Sequence, residues 1–314
     1  MSKFLLRRLL AAIPVLFLVS LMSFAVIWLV PGDPAASFLD ASASAEQIAR
    51  LREQLGLNLP LWQQMLQWYG RVFTGDLGHS ILLNRSVAEA LVERLPVTLS
   101  LAALALVLAS TFGIAAGIYA AMHRGAKADR AVMTVSLLGL SMPDFWLGLV
   151  LVVVFAVGLG WLPSGGFVPL TEDPWGWVKT MVLPALTLAL VQTGFIARMT
   201  RSAMLDVLHQ DYIRTADAKG LRHGFVVLRH GLPNALLPIL TVLGIIAGSL
   251  LGGAVVVEQV FSLPGAGRLI IGAILRRDYP VIQGGLLLTA VIFVFVNLAV
   301  DILYAALDPR VRYE

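Results

Sequence analysis

Six stretches of this chain stay apolar for too long to belong to a soluble core: 9–30, 98–121, 131–158, 181–200, 234–257 and 283–306. About 20 predominantly apolar residues in a helix are needed to cross the hydrocarbon layer of a bilayer. Only structures that satisfy their backbone polar groups internally can do so, which for runs of this kind means helices. The expected fold class is therefore all-α, a polytopic membrane protein with six transmembrane helices. Composition agrees, because 58% of the 314 residues are hydrophobic and only 13% are charged, against roughly 25% charged in soluble domains. The first stretch follows MSKFLLRRLL and runs apolar from Leu9 to Val30. It exceeds a signal-peptide h-region and no small-residue cleavage site follows, so it is expected to be retained as a helix.

The formal charge of +4 does not point to nucleic acid, because the excess cations fall where a topology signal belongs. With the N-terminus inside, alternate loops collect Lys3, Arg7, Arg8, Arg124, Lys127, Arg130, Arg198, Arg201, Arg214, Lys219, Arg222, Arg229, Arg310 and Arg312. That is 14 of the 23 Lys and Arg residues, so both termini are expected to be cytoplasmic by the positive-inside rule. The chain divides accordingly. Residues 1–30 form a cytoplasmic stub and the first helix, and 31–97 an external loop. Residues 98–306 form a five-helix core that includes a cytoplasmic segment at 201–233, and 307–314 form a cytoplasmic tail.

Several chemistries are excluded. There is no cysteine, hence no disulfide, thiolate ligand or thiol nucleophile. The histidines at 79, 123, 209, 223 and 230 are too dispersed for a metal-ligand set. A P-loop needs Gly-Lys after a glycine-rich turn, yet Lys3, Lys127, Lys179 and Lys219 each follow a residue other than glycine. No serine–histidine or paired-carboxylate arrangement suggests an intramembrane hydrolase. The subunit is not expected to be an enzyme.

The external loop reads as short helices. One runs from Ala45 to Leu55 and ends at Gly56, and a second opens after Pro60 with Leu61, Met65, Trp68 and Val72 on one face. Trp62, Trp68 and Tyr69 suit the headgroup level, so the loop either caps the bundle or meets an external partner. The cytoplasmic segment between the fourth and fifth crossings is rich in helix formers and lacks the composition of a flexible linker. Asp211 is placed to cap a helix that ends at Gly220. Its small Ala216 and Ala218 and polar Thr215, flanked by Arg214 and Lys219, fit either a groove on another protein or an anionic lipid surface.

The stretch RTADAKGL, Arg214 to Leu221, resembles the R-T-A-x-A-K-G-L pattern of ABC-importer permeases of the peptide/nickel branch, matching at every fixed position. After Gly220 come nine residues and then His230-Gly231-Leu232-Pro233, similar in spacing to the Gly, nine residues, Ile-x-Leu-Pro of the wider family, with His230 in place of the Ile. PGDP (31–34), LGLNLPLW (55–62), GDLGHS (75–80), SMPDFWLG (141–148), VVVEQVFSLPGAGR (255–268), RDYPVIQ (277–283) and VDILYAALDPR (300–310) look like the same branch.

That resemblance implies a type I ABC importer permease fold in the inner membrane of a bacterial cell. It also implies a coupling helix seated in a groove of an ATPase subunit, carried by Arg214, Thr215, Ala216, Ala218, Lys219, Gly220 and Leu221. The implied partners are a homologous second permease, two ATPase subunits that bind ATP and Mg, and a periplasmic or lipid-anchored solute-binding protein. The implied cargo is a dipeptide, an oligopeptide, glutathione or a nickel complex, and this chain itself holds no cofactor.

Ionisable groups inside crossings default to functional candidates. Asp144, after Pro143, fits either a pathway wall or a helix cap. Asp301 lies close in sequence to Arg310 and Arg312, which favours a structural ion pair. Ser141, Gln192 and Asn297 can bond between helices or touch substrate. A different class of function, an autonomous secondary transporter using Asp144 and Asp301 as an ion relay, is the competing reading.

Overall fold

A computed structural model describes residues 2–29, 34–37, 44–54, 56–80 and 82–307. Residues 31–33 of PGDP and the tail from 308, with Arg310 and Arg312, lie outside the described residues. The described chain is helical almost throughout. In order it forms α1 (Ser2–Leu29), α2 (Pro34–Ser37), α3 (Ala45–Gln54) and α4 (Leu61–Phe73), then the two-residue strands β1 (His79–Ser80) and β2 (Arg85–Ser86). These are followed by α5 (Val87–Met122), α6 (Lys127–Ser141), α7 (Asp144–Leu151), α8 (Pro174–Leu208), α9 (Asp211–Ala218), α10 (His223–Val226), α11 (Leu232–Val260), α12 (Ala266–Arg276) and α13 (Tyr279–Leu307).

Five helical runs are long and apolar enough to cross a membrane, and α6 with α7 makes a sixth span if the bent pair is counted as one. The crossings are longer than their apolar cores. The second begins at Val87, the fourth at Pro174 and the fifth at His223. The start of α8 is locally encoded: Asp173 Oδ1 accepts the Trp175 amide at 3.0 Å and Pro174 occupies the first turn, where a missing N–H costs nothing.

The stretch expected to cross at 131–158 is not one straight helix. The axes of α6 and α7 meet at 104°. Pro143 supplies no N–H and disfavours helical geometry in the residue before it, and Met142 accordingly sits at φ −92, ψ 130. Beyond α7 the helix continues with wider π-type turns over Val152–Gly158.

Contacts divide the chain into two compact units. The first is built on Thr98–Leu263 together with the chain from Phe295. Its centre is α8, which packs against α6, α7 and α11 and whose most apolar window is 61% buried. Glycines set the closest approaches. A Cβ on Gly117 of α5 would stand 2.6 Å from the Ala197 carbonyl oxygen and 2.6 Å from Thr200 Cβ, and one on Gly113 would stand 2.7 Å from Ile196 Cβ. On the α6 side, a Cβ on Gly194 would meet the Ser136 carbonyl at 2.6 Å. Without a hydrophobic drive between helices in lipid, such backbone contact is what holds them. In the glycine-rich 249–256 stretch the packing position is Gly253, against Leu188 and Asp144, whereas Gly252 has open space beside it.

The second unit comprises Arg7–Val97 and Pro264–Val294. Here α4 lies on α1 through aromatic rings: Phe24 meets Trp68 at 5.8 Å, Phe17 stacks on Tyr69 at 6.4 Å, and Ser20 Oγ bonds the Tyr69 hydroxyl at 2.8 Å. Trp68 is buried, while Leu61 and Trp62 are exposed. The inward face is thus Met65, Trp68 and Val72 without Leu61. The loop helices are bounded as their glycine and proline signals predict: Gly56 takes φ +68 after α3, and Pro60 immediately precedes α4. Within the same unit, Ser23 Oγ donates to the Gln283 carbonyl at 2.9 Å, joining α1 to α13.

Candidate functional site

The segment after α8 turns at once into α9. Asp211 does not cap this helix: Gln210 holds the N-cap position with no side-chain bond, and Asp211 is the first helical residue. Its carboxylate still favours the positive end of the helix. The far end follows its sequence signal, since Gly220 takes φ +77 and its amide bonds the Asp217 carbonyl at 2.9 Å. A left-handed residue just past the last turn is where glycine is preferred.

One face of α9 is held down. Ile213 is 2% exposed and Ala216, one turn on, is half-buried. Partial burial raises the phenol pKa of Tyr212, and the neighbouring Asn234 of α11 opposes the rise. Arg214, Thr215, Ala218, Lys219 and Gly220 are exposed, as is Leu221. The outward surface is therefore Thr215, Ala218 and Lys219, flanked by Arg214, and Ala216 turns partly inward.

In the same unit, apolar packing and ion pairing join α5, α6, α8 and α11. Met204, Val227 and Ala235 are fully buried in one cluster with Ala121 and Ile239. Asp129, on α6, is 3% exposed and is clamped from α8: Arg201 Nε donates to Oδ1 at 2.6 Å and Nη2 to Oδ2 at 2.7 Å. The Gly125 amide adds a third bond to Oδ2 at 2.9 Å. Arg124 lies 2.8 Å from His209 Nε2, and His209 Nδ1 lies 2.5 Å from the Leu205 carbonyl. Those distances fit a neutral ring that accepts from the arginine and donates to the carbonyl. Residue reading treated Arg124 and Arg201 as topology signals alone. The clue to the clamp was Asp129 itself, one carboxylate among Arg124, Lys127 and Arg130.

The four polar residues proposed for a pathway sit on four different helices, α6, α7, α8 and α13. Ser141 is exposed and its hydroxyl donates to the Leu137 carbonyl at 3.0 Å. Asp144 opens α7, is half-buried, and has Oδ2 3.5 Å from where a Cβ on Gly253 would sit, so it faces α11. Gln192 is half-buried on α8 and Asn297 is exposed on α13. The arginines expected near Asp301 lie outside the described residues.

A buried carboxylate that sequence reading missed is Glu258, fully buried near the end of α11, which accepts the Thr98 hydroxyl from α5 at 2.6 Å. The predicted crossing stopped at 257, one residue short, so Glu258 passed as a loop residue. Among the described residues no group of three or more potential ligands could hold a metal ion.

A multi-helix membrane subunit with one short, exposed, firmly based helix on a connecting segment is the class that this geometry defines. The chain belongs to the binding-protein-dependent transport system inner membrane component family: that family's profile matches residues 113–313, and the profile of the family's N-terminal membrane component matches 1–102. Among its relatives, a putative peptide transport system permease protein of Brucella abortus (strain 2308) is 48% identical over 314 residues, covering all of both chains. The glutathione transport system permease protein GsiC of Escherichia coli (strain K12) is 44% identical over 314 residues, again covering all of both chains. The di/tripeptide transport system permease protein DppB of Pseudomonas aeruginosa (strain UCBPP-PA14) is 44% identical over 335 aligned positions, covering all of both chains. A solved structure titled as inward-facing conformations of the MetNI methionine ABC transporter aligns with TM-score 0.59 at 20% identity, over 69% of this chain and 96% of that one. At that identity the likeness concerns the fold alone.

Proposed function

We propose that this chain is the permease subunit of an ATP-driven, binding-protein-dependent importer of small peptides or glutathione-like solutes, and that α9 is the helix through which ATPase subunits drive it. The observation that carries the reading is the construction of α9. Ile213 pins it, Gly220 ends it sharply, and small Thr215 and Ala218 face outward between the cations Arg214 and Lys219. A short helix pinned on one face and presenting small residues flanked by cations suits a groove in another protein. A connector between two membrane helices has no need of it. The full-length relatives at 44–48% identity support the peptide-like cargo.

In this reading α9 faces the cytoplasm, with both termini on that side. ATP and Mg are bound by two separate ATPase subunits, and a solute-binding protein outside the cell delivers cargo. A homologous second permease completes the pathway. Closing of the ATPases moves α9, and the bundle shifts between two access states biased by nucleotide and by the loaded binding protein.

The test is reconstitution in proteoliposomes with labelled dipeptide or glutathione. Uptake is expected with both ATPases, the second permease, binding protein and ATP, and none from the lone chain under a proton gradient. Gradient-driven uptake by the lone chain would instead assign transport to an ion relay through Asp144 and Asp301 and overturn the proposal.

A further inference from the structure

Helix α4, in the second unit, presents more apolar surface than its packing on α1 uses. Trp68 is buried against α1. Beside it, Trp62, Leu66, Tyr69 and Phe73 form a second stripe at the i, i+4, i+7, i+11 spacing of one helix face. Phe73 is 85% exposed and Leu66 69%. Single exposed apolar side chains are ordinary on a protein surface, whereas a contiguous stripe marks a contact. The far side of the helix is polar: Gln67 and Arg71 line an open cavity of about 580 Å³ together with Glu53 of α3.

The level at which α4 sits follows from its contacts. The apolar span of α1 runs from Leu6 to Leu29, 24 residues, about 36 Å of helix against a hydrocarbon layer of about 30 Å. Phe17 lies 11 residues from one end of that span and 12 from the other, so it falls within the hydrocarbon wherever the helix is set along the membrane normal. Tyr69 stacks on Phe17 at 6.4 Å, and Phe73 stacks on Tyr69 at 6.2 Å. This run of three rings carries the exposed surface of α1, where Phe17 is 59% exposed, across to α4. The polar tip within it is bonded. Ser20 Oγ donates to the Phe17 carbonyl at 2.7 Å, which leaves it to accept the Tyr69 hydroxyl at 2.8 Å. Hydrocarbon demands that every such group be satisfied within the protein, and water does not.

We propose that the stripe of Trp62, Leu66, Tyr69 and Phe73 is immersed in the acyl chains of the leaflet adjoining the α1–α5 connection, so that the partner of this surface is phospholipid. The apolar stripe continues the lipid-facing surface of α1, and the polar face turns to α3. Helix α4 thereby anchors the connection in the bilayer instead of capping it from the water. The proposal rests on α1 crossing the membrane and is independent of α9 and of ATP coupling, so its failure leaves the importer reading intact.

The chain has no cysteine, so a single substitution carries a nitroxide label without background. Leu66→Cys and Phe73→Cys report on the stripe, Gln67→Cys on the polar face, and Leu18→Cys on the exposed face of α1. Power-saturation EPR on the full chain in phosphatidylcholine nanodiscs compares collisions with oxygen, which concentrates among acyl chains, and with a water-soluble nickel chelate. At positions 66 and 73 the oxygen-to-nickel ratio is expected to be several-fold above that at 67 and close to that at 18. Adding Phe73→Asp to Leu66→Cys should lower the ratio at 66 toward that at 67, because a carboxylate is costly in hydrocarbon. Adding Phe73→Leu should leave it unchanged. Ratios at 66 and 73 equal to that at 67 would place α4 in water and overturn the proposal. Low collision with both reagents at 66 and 73 would mean that protein covers the stripe, and would overturn it equally.

Discussion

Removing Arg201 should show how much of the bundle's integrity rests on one ion pair. Arg201→Met keeps the stem of the side chain and deletes both bonds to Asp129, at 2.6 and 2.7 Å. Bonds to charged groups contribute about 1.5–3 kcal/mol each. The upper part of that range does not apply, because the Arg201 side chain is 25% exposed and water replaces part of what it loses. Asp129, with its side chain 5% exposed, is left with the Gly125 amide alone. Stranding a buried carboxylate in this way costs about 3 kcal/mol. Asp129→Asn retains the Gly125 bond and should cost about 2 kcal/mol. The double variant no longer strands a charge, so it should cost less than the two single losses summed, with a coupling of about 2 kcal/mol. The assay is unfolding of the full chain by SDS from mixed micelles, followed by far-UV circular dichroism. A coupling below about 0.5 kcal/mol, the usual error of additivity, would refute the view that the clamp joins α6 to α8.

Three further outcomes are expected. Gly117→Leu should abolish the close crossing of α5 on α8, since the obstacles are the Ala197 carbonyl oxygen and Thr200 Cβ, each at 2.6 Å, and neither moves with a change of rotamer; overpacking of this kind costs about 1–3 kcal/mol or more, readable in the same SDS titration. Thr98→Val removes the 2.6 Å bond to fully buried Glu258 and should cost about 1–3 kcal/mol, with Thr98→Ser recovering most of it. Gly220→Val strains a left-handed position by about 1–2 kcal/mol, and should reduce copurification of ATPase subunits while leaving membrane insertion unchanged; Ala218→Arg, on the outward face, should do the same without backbone strain.

The apolar runs made the six spans legible because a bilayer imposes a length that no soluble core does. The extent of each helix was not legible in the same way. Polar caps such as Asp173, and the amphipathic starts at Val87 and His223, extend helices beyond the lipid without any hydropathy signal. The bend at Met142–Pro143 was written in the sequence as a proline, but hydropathy alone ran straight through it. On α9, Gly220 was readable as a stop from local chemistry, whereas Asp211 misled because a carboxylate near a helix start can act through charge without capping. Which face of α9 turns outward needed tertiary contacts, since Ile213 rather than the small residues decides it. The pairs Asp129–Arg201, Thr98–Glu258 and Ser80–Asp278 join residues 72, 160 and 198 positions apart. No local pattern encodes such partners. In the last case, however, both members lie in stretches, GDLGHS and RDYPVIQ, already conspicuous in the sequence.

The glycine contacts along α8 bear on where this molecule can yield. Side chains that interdigitate can change rotamer and let two helices slip or tilt. At Gly117 and Gly194 backbone lies directly on its neighbour's backbone with no such cushion between, and at Gly113 it lies on the stiff β-branched Ile196. Helices α5, α6 and α8 therefore form a stiff block, and a displacement delivered at His209, the residue that ends α8, is transmitted along it with little loss. Compliance has to be found elsewhere. The joint at Met142–Pro143, where the chain turns by 104°, interrupts the helix at the edge of that block, and any movement of α7 about it must carry the contacts α7 makes with α8 and α11.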